Sequence, residues 1–319
     1  MIKTFKNGYA LLIGVGESAY DHSMSLPATV KDVQAINEVL RDPNLCAYSD
    51  DNIRLLYNET ATRSNILLSL RWLQEKAQSD PEATILIYYS GHGCYEKPDQ
   101  YYLIPHDCDS SDMVNSALTA IKLNSEIHKI AAQRLLVIID SCHAGGMASS
   151  KLLSDKVKFP SSLSLQPIPK GIIQQLKQGK GRVIFASSQE NESSWIMKDN
   201  SMSVYTHHLL EALQGSNNHL GETTVTVSNL MNHLSRQVPV TAQQVGGIQT
   251  PYFDFNTEDF PIALVRGGKG LPQAGWQSPL TSPEVPSSVT TTVVGDNNIT
   301  GGVTVSGNGN IVGNGNTVR

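Results

Sequence analysis

The chain has 319 residues, 39% of them hydrophobic and 17% charged, with a formal net charge of −5. That apolar content supports a packed core and excludes wholesale disorder, and the mild acidity excludes a general nucleic-acid binder, which needs clustered positive charge. No apolar run approaches the ~20 residues that span a bilayer, and Met1–Lys6 leads into no secretory apolar region, so neither a membrane partner nor a signal peptide is expected.

In chain order, Tyr9–Val15 is the first strand-length apolar run, and Gly14 and Gly16 mark its end. Ala28–Arg41 follows with helical spacing at Val30, Val33, Ile36, Val39 and Leu40. Asn52–Tyr57 is a second strand. Thr62–Gln78 is a second helix, with Thr62 or Ser64 as its N-cap. Thr84–Tyr89 is a third strand, followed at once by Ser90-Gly91-His92-Gly93. Asn115–Ala132 is a weaker helix. Arg134–Ile139 is a fourth strand, leading into Asp140-Ser141-Cys142-His143-Ala144-Gly145-Gly146. Arg182–Ala186 is a fifth strand and Tyr205–Leu213 a further helix. Continuous Val/Ile/Leu runs are the mark of strands buried on both faces, so the fold class is α/β with a mostly parallel central sheet flanked by helices. Functional groups in such sheets collect beyond the carboxyl ends of the strands.

Residues 147–181 interrupt this pattern with scattered Ser, Pro and Lys and read as a long exposed loop. Residues 267–290 are rich in Gly, Pro and Ser and read as a flexible linker. The tail, 291–319, is Gly/Asn-rich and repeats every six residues from Gly295, with Ile299, Val305, Ile311 and Thr317 in the fifth position. Four such units bury too little to stand alone. Two readings stand for the tail: a solvated segment, or one that orders on a protein partner carrying a similar repeat.

His92 and Cys142 follow the third and fourth strands. If those strands are neighbours, an imidazole faces a thiol across the sheet edge. A thiol of pKa about 8.5 is mostly protonated at neutral pH, so a nearby base is needed to generate the attacking thiolate. The adjoining glycines let backbone N–H groups approach a developing oxyanion. Either residue alone is weak support, since a single Cys is more often a small buried hydrophobe. Competing motifs fail. Gly14-Val15-Gly16 lacks the third glycine of a dinucleotide fingerprint, because position 19 is Ala. No Gly-x-Ser-x-Gly elbow and no P-loop spacing occur.

Four segments, YALLIGVG (9–16), LPATVKDVQAI (26–36), YYSGHG (88–93) and IIDSCHAGG (138–146), resemble the caspase-like cysteine peptidases, in particular the prokaryotic metacaspase-related orthocaspases. ASSQENESSW (186–195) and SVYTHHLLEAL (203–213) are similar to the small-subunit half. The resemblance covers about residues 8–266. It implies a caspase–haemoglobinase fold over 1–266, with a p20-like part (1–146), the loop 147–181 and a p10-like part (182–266). It also implies a dyad of His92 as general base and acid and Cys142 as nucleophile, with an oxyanion hole of the Gly93 and Cys142 backbone N–H groups.

Caspases cut after Asp. By resemblance to metacaspases, Asp32, Ser90 and Asp140 line an S1 pocket here, with Thr29 where that family often has Cys. Two carboxylates in a narrow pocket attract a guanidinium or ammonium and reject an acidic side chain, so substrates with Arg or Lys at P1 are expected. The competing reading of Asp32 is a dipole-favoured residue in the first turn of its helix. The resemblance further implies autocleavage of loop 147–181, which carries six lysines; the alternative is a solvated loop that is never cut.

No cofactor and no metal are expected. The acidic residues of Cys94–Asp112 are scattered rather than spaced as a calcium loop, so calcium dependence is not favoured. Cys94, His106 and Cys108 lack a zinc pattern. Four cysteines are too few for a disulfide scaffold and suit a reducing, cytoplasmic setting. The resemblance also implies a regulated protease of a bacterial defence or programmed-death system. The alternative from another class is a catalytically idle scaffold that assembles a complex through its tail. Trp195 either borders the substrate cleft or packs.

Overall fold

The computed structural model describes residues 5–97, 100–141, 164–219, 221–255 and 257–265. The first half runs β1 (Gly8–Gly14), α1 (Ala28–Arg41), β2 (Ile53–Tyr57), α2 (Arg63–Ser79), β3 (Thr84–Gly91), β4 (Gly93–Lys97) and β5 (Gln100–Leu103). It continues with α3 (Met113–Ser116), β6 (Leu118–Thr119), α4 (Ala120–His128) and β7 (Arg134–Ser141). The second half has β8 (Ser164–Leu165), α5 (Lys170–Leu176), β9 (Arg182–Ala186), α6 (Val204–Leu213), β10 (Thr224–Thr226), α7 (Val227–Val245), β11 (Tyr252–Phe255) and β12 (Pro261–Leu264).

Among the described residues the central sheet has six strands in the order β11-β9-β7-β3-β1-β2. All pairs are parallel except β11 against β9. The five apolar runs of the sequence are its five parallel strands. Because successive strand residues face opposite sides, each run feeds two cores. Leu12, Leu86, Tyr88, Leu136, Ile138 and Phe185 pack with α1, α6 and α7 on one face. Leu11, Ile87, Tyr89, Val137, Ile139 and Ile184 pack with α2, α4 and α5 on the other. This parity decides the site, since Ser90 and Asp140 continue the α1/α6 face.

Two expectations about secondary structure need correction. The single helix read over Asn115–Ala132 is broken. Leu118 and Thr119 pair with Leu103 and Tyr102 as strand β6, and the Thr119 side chain then caps α4 by accepting the Lys122 N–H at 3.1 Å. The exposed loop read over 147–181 is ordered structure from residue 164. There β8 pairs with β4, and α5 buries Ile172, Ile173 and Leu176, an i, i+1, i+4 stripe hidden among the lysines. Residues 142–163 and 266–319 lie outside the described residues, so the first part of the loop 147–181 read as an autocleavage segment, and all of the linker and repeat tail, lie outside them. No helix among the described residues is long and apolar enough to cross a membrane.

The α2–α4 layer carries a pH-sensitive joint. The buried Glu126 carboxylate accepts from Lys122 at 2.8 Å, Lys129 at 2.9 Å and Gln74 Nε2 at 3.1 Å. The Lys122 hydrogen bond is the largest cause, outweighing burial with help from Lys129 and Gln74, and holds the carboxyl down at about 2. A folded-state pKa below the unfolded value of about 4.5 gives stability that is present above that value and lost as pH falls toward 2. Glu126→Gln is therefore expected to flatten the loss of thermal stability over that acid window, as scanned by circular dichroism. An unchanged acid profile would overturn this.

Candidate active site

β3 and β7 are neighbours, and their register sets Ser90 beside Asp140 and Gly91 beside Ser141. His92 is the first residue past β3, and Ser141 is the last of β7. Cys142 lies outside the described residues, as do the motif's His143, Gly145 and Gly146.

His92 is buried, and its Nε2 lies 2.9 Å from the Met24 carbonyl oxygen. A carbonyl only accepts, so Nε2 carries the proton and the lone pair of the neutral ring is on Nδ1. The backbone on either side is pinned. Tyr89 Oη donates to the His92 carbonyl at 2.8 Å and accepts the Ile104 N–H at 3.1 Å. Gly93 starts β4, where a Cβ would stand 1.9 Å from Tyr101 Oη and 3.2 Å from the Gln166 carbonyl. Only glycine fits. Tyr101 Oη in turn lies 2.8 Å from Ser141 Oγ. One phenol thus joins the strand after His92 to the residue before Cys142.

On the other face Asp32, Ser90 and Asp140 come together, all buried. Ser90 Oγ donates to Asp32 Oδ2 at 2.8 Å. Asp32 belongs to the second turn of α1, whose first turn holds no acidic residue, so the dipole reading fails. Its other oxygen accepts the Ser203 N–H at 2.9 Å. Ser203 is also the N-cap of α6, and its Oγ donates to Asp140 Oδ2 at 2.6 Å. Ser194 Oγ donates to Asp140 Oδ1 at 2.7 Å. Tyr88 Oη lies 3.4 Å from Asp140 Oδ2 and 2.6 Å from Thr206 Oγ1. Burial first, then the negative charge of Asp140, raises the phenols of Tyr88 and Tyr205 well above the ordinary tyrosine value, and Asp32 adds to this at Tyr88.

Thr29 is buried one turn before Asp32, but its hydroxyl donates to the Leu26 carbonyl at 3.0 Å rather than joining the carboxylates. Ser194, Ser203, Thr206, Tyr88 and Gln249 are members of the network that the sequence did not disclose. Gln249 Nε2 donates to the Ser187 carbonyl at 3.0 Å and lies 3.3 Å from Ser194 Oγ. Its Oε1 accepts the Trp195 N–H at 2.9 Å. The Trp195 ring is partly buried against Gly247, where a Cβ would stand 1.8 Å from Cε2.

Asp107, Asp109 and Asp112 accept protein hydrogen bonds, Asp107 from the start of α2 and the other two within local turns. Asp107 accepts the Arg63 N–H, Asp109 the Ser111 N–H and hydroxyl, and Asp112 the Asn115 amide. Cys46, Cys94 and Cys108 are buried thiols, and burial raises Cys108 to about 11.

A family model described as "Caspase domain" matches residues 7–261. The chain belongs to the caspase domain family. The caspase domain is also similar to metacaspase-1 of Schizosaccharomyces pombe, at 26% identity over 156 residues, which is 43% of this chain and 34% of that protein. The chain therefore matches about a third of that relative's length. Caspase-1 of Spodoptera frugiperda superposes with a TM-score of 0.49 at 16% identity, covering 86% of this chain and 94% of that one. Its pro-form gives 0.48 at 13% identity, covering 81% and 94%. The caspase domain family is, as a class, a family of cysteine peptidases, and a mixed α/β fold with a mostly parallel central sheet is the fold of that family.

Proposed function

We propose that this caspase domain is an endopeptidase that cuts after Arg or Lys through a His92–Cys142 dyad. The observation that carries the reading is the pair of buried carboxylates, Asp32 and Asp140, joined through Ser203, with Asp32 also bonded to Ser90, two residues before His92. Cys142 is one peptide unit, about 3.8 Å between Cα atoms, from Ser141, and Ser141 is paired with the residue before His92.

In this reading His92 Nδ1 takes the Cys142 thiol proton, and the thiolate attacks the scissile carbonyl carbon. The Gly93 and Cys142 N–H groups stabilise the oxyanion. The Nδ1 proton then passes to the leaving amine, and water, deprotonated by the same nitrogen, hydrolyses the thioester. The Met24 carbonyl keeps Nε2 protonated throughout, so the ring turns neither lone pair nor proton the wrong way. Asp32 and Asp140 receive the substrate's cation. The enzyme works without added calcium, in a reducing cytoplasmic setting. Residues 291–319 dock a protein partner, within a defence or programmed-death system.

The test is a fluorogenic peptide panel with Arg, Lys, Asp or Leu at P1, with and without calcium, on the parent and on Cys142→Ala, with intact mass recorded alongside. Cleavage after Arg or Lys that vanishes in Cys142→Ala is expected. Cleavage after Asp would overturn the pocket assignment, and cleavage surviving in Cys142→Ala would overturn the dyad. Brief iodoacetamide treatment of the native chain is expected to add one adduct, at Cys142, because the other three thiols are buried. First labelling at Cys46, Cys94 or Cys108 would contradict this.

Gly93→Ala is expected to lower kcat/KM about 10²-fold, since its Cβ displaces Tyr101 and with it the Ser141 contact, and ångström-scale misplacement of reacting groups has that effect. Tyr101→Phe, which removes the hydroxyl without crowding, is expected to lose less. Parent-like rates in Gly93→Ala would show that this joint does not position the dyad.

A further inference from the structure

Helix α6 carries His207, His208 and Glu211, which the proposed reaction does not use. Each offers one ligand atom, and these atoms lie within 4.8 Å of one another. His208 Nδ1 is 2.6 Å from Glu211 Oε2, and His207 Nε2 is 3.7 Å from Glu211 Oε1. The latter separation is too long for a hydrogen bond. It is close to the edge of a tetrahedron with bonds of about 2.0 Å, roughly 3.3 Å. From α7, His233 Nε2 stands 2.8 Å from Glu211 Oε2, so two imidazoles share one carboxylate oxygen.

The outer partners fit a metal site as well as the inner ones. The far nitrogen of His208, Nε2, lies 2.7 Å from Thr241 Oγ1. A hydroxyl either donates or accepts. When His208 Nδ1 carries the proton toward Glu211, Thr241 donates to Nε2. When an ion takes the Nδ1 lone pair, the proton moves to Nε2 and Thr241 accepts it. A second nitrogen held by an outer acceptor is the usual setting of a metal-bound histidine. The His207 and Glu211 side chains keep 21% and 22% of their surface exposed, which leaves an ion a path from solvent.

We infer that His207, His208 and Glu211 form a binding site for a divalent transition ion, with His233 and Thr241 as its outer partners. Two imidazoles and a carboxylate select zinc over calcium or magnesium, which prefer all-oxygen shells. The site begins one residue beyond Thr206, whose hydroxyl lies 2.6 Å from Tyr88 Oη in the carboxylate network. The inference stands independently of the catalytic reading.

The experiment uses the full chain carrying Cys142→Ala, which removes the active-site thiol as a competing ligand. Zinc is titrated against a chromophoric chelator, and cobalt(II) absorption is recorded in parallel. One zinc per chain at micromolar affinity or tighter is expected, with an intense visible cobalt band. His207→Gln combined with Glu211→Gln is expected to weaken zinc by at least 100-fold, and His233→Gln by about 10- to 100-fold. Absence of zinc binding by the parent overturns the inference, as does unchanged affinity in a double variant whose circular dichroism matches the parent. Should the double variant not fold, the parent's cobalt spectrum decides: a weak, water-like band overturns the site.

Discussion

Cys142→Ala is expected to lower peptide cleavage by about 10⁵-fold or more, and His92→Ala by about 10²- to 10⁴-fold. The two losses differ because the groups do different work. No second described thiol can replace the nucleophile, since Cys46, Cys94 and Cys108 are buried. The base, in contrast, only sets the thiolate fraction and handles the amine's proton. Raising the pH supplies thiolate without it, so the His92→Ala deficit should shrink as pH rises through the ordinary thiol range near 8.5. The Cys142→Ala deficit should not. The measurement is kcat/KM for an Arg peptide across pH 6–10, with circular dichroism to check folding. Parent rates in His92→Ala at neutral pH would remove it from the mechanism. A deficit that stays constant with pH would mean that His92 acts by shape, through its bond to the Met24 carbonyl, rather than as a base.

The inner strands of the sheet were legible because they are buried on both faces. Ile85–Ile87 and Leu135–Ile139 have no polar positions, and such runs have few other destinations. The antiparallel sheet was not. Strands β4, β5, β6 and β8 are short, two of them two residues long, and mix Tyr and Cys with polar residues. Only tertiary pairing makes them strands. Helix α7 was missed because Pro239 lies inside it, and a proline normally ends a helix. Its Thr226–Asn229 capping box and the left-handed Gly246 at its end were the available signals.

The site divides along the same line. Ser90 and Asp140 were legible because each directly continues an apolar strand, and Asp32 because it stands in a matching motif. The residues that hold them were not. Ser194 and Ser203 come from 187–203, which has no periodicity, and the one local sign was Ser203 three residues before Thr206, an N-cap pattern. The acceptor for His92 is a backbone carbonyl, so the identity of Met24 says nothing about it. Helix α6 was visible, but its pairing of His208 with His233 depends on how α6 packs against α7.

Asp140→Asn is expected to reduce kcat/KM for Arg and Lys peptides by about 10²- to 10³-fold, while labelling of Cys142 by iodoacetamide continues. Removing one side of a buried, hydrogen-bonded charge pair costs about 2–5 kcal/mol. The asparagine keeps the shape, but its Nδ2 is a donor facing hydroxyls that now donate to Asp140, so Ser194 or Ser203 must turn around. Ser203 is the more constrained of the two, because its N–H is committed to Asp32 and its Oγ already accepts the Thr206 N–H. The change therefore reaches Asp32 through Ser203, and Asp32→Asn is expected to be less than additive with it. Leu peptides lack the cation, so their rates should change little, and discrimination between Arg and Leu should collapse. Equal losses on Arg and Leu peptides would make Asp140 a residue of the fold rather than of specificity. An unchanged Arg rate would remove the carboxylate pair from substrate recognition altogether.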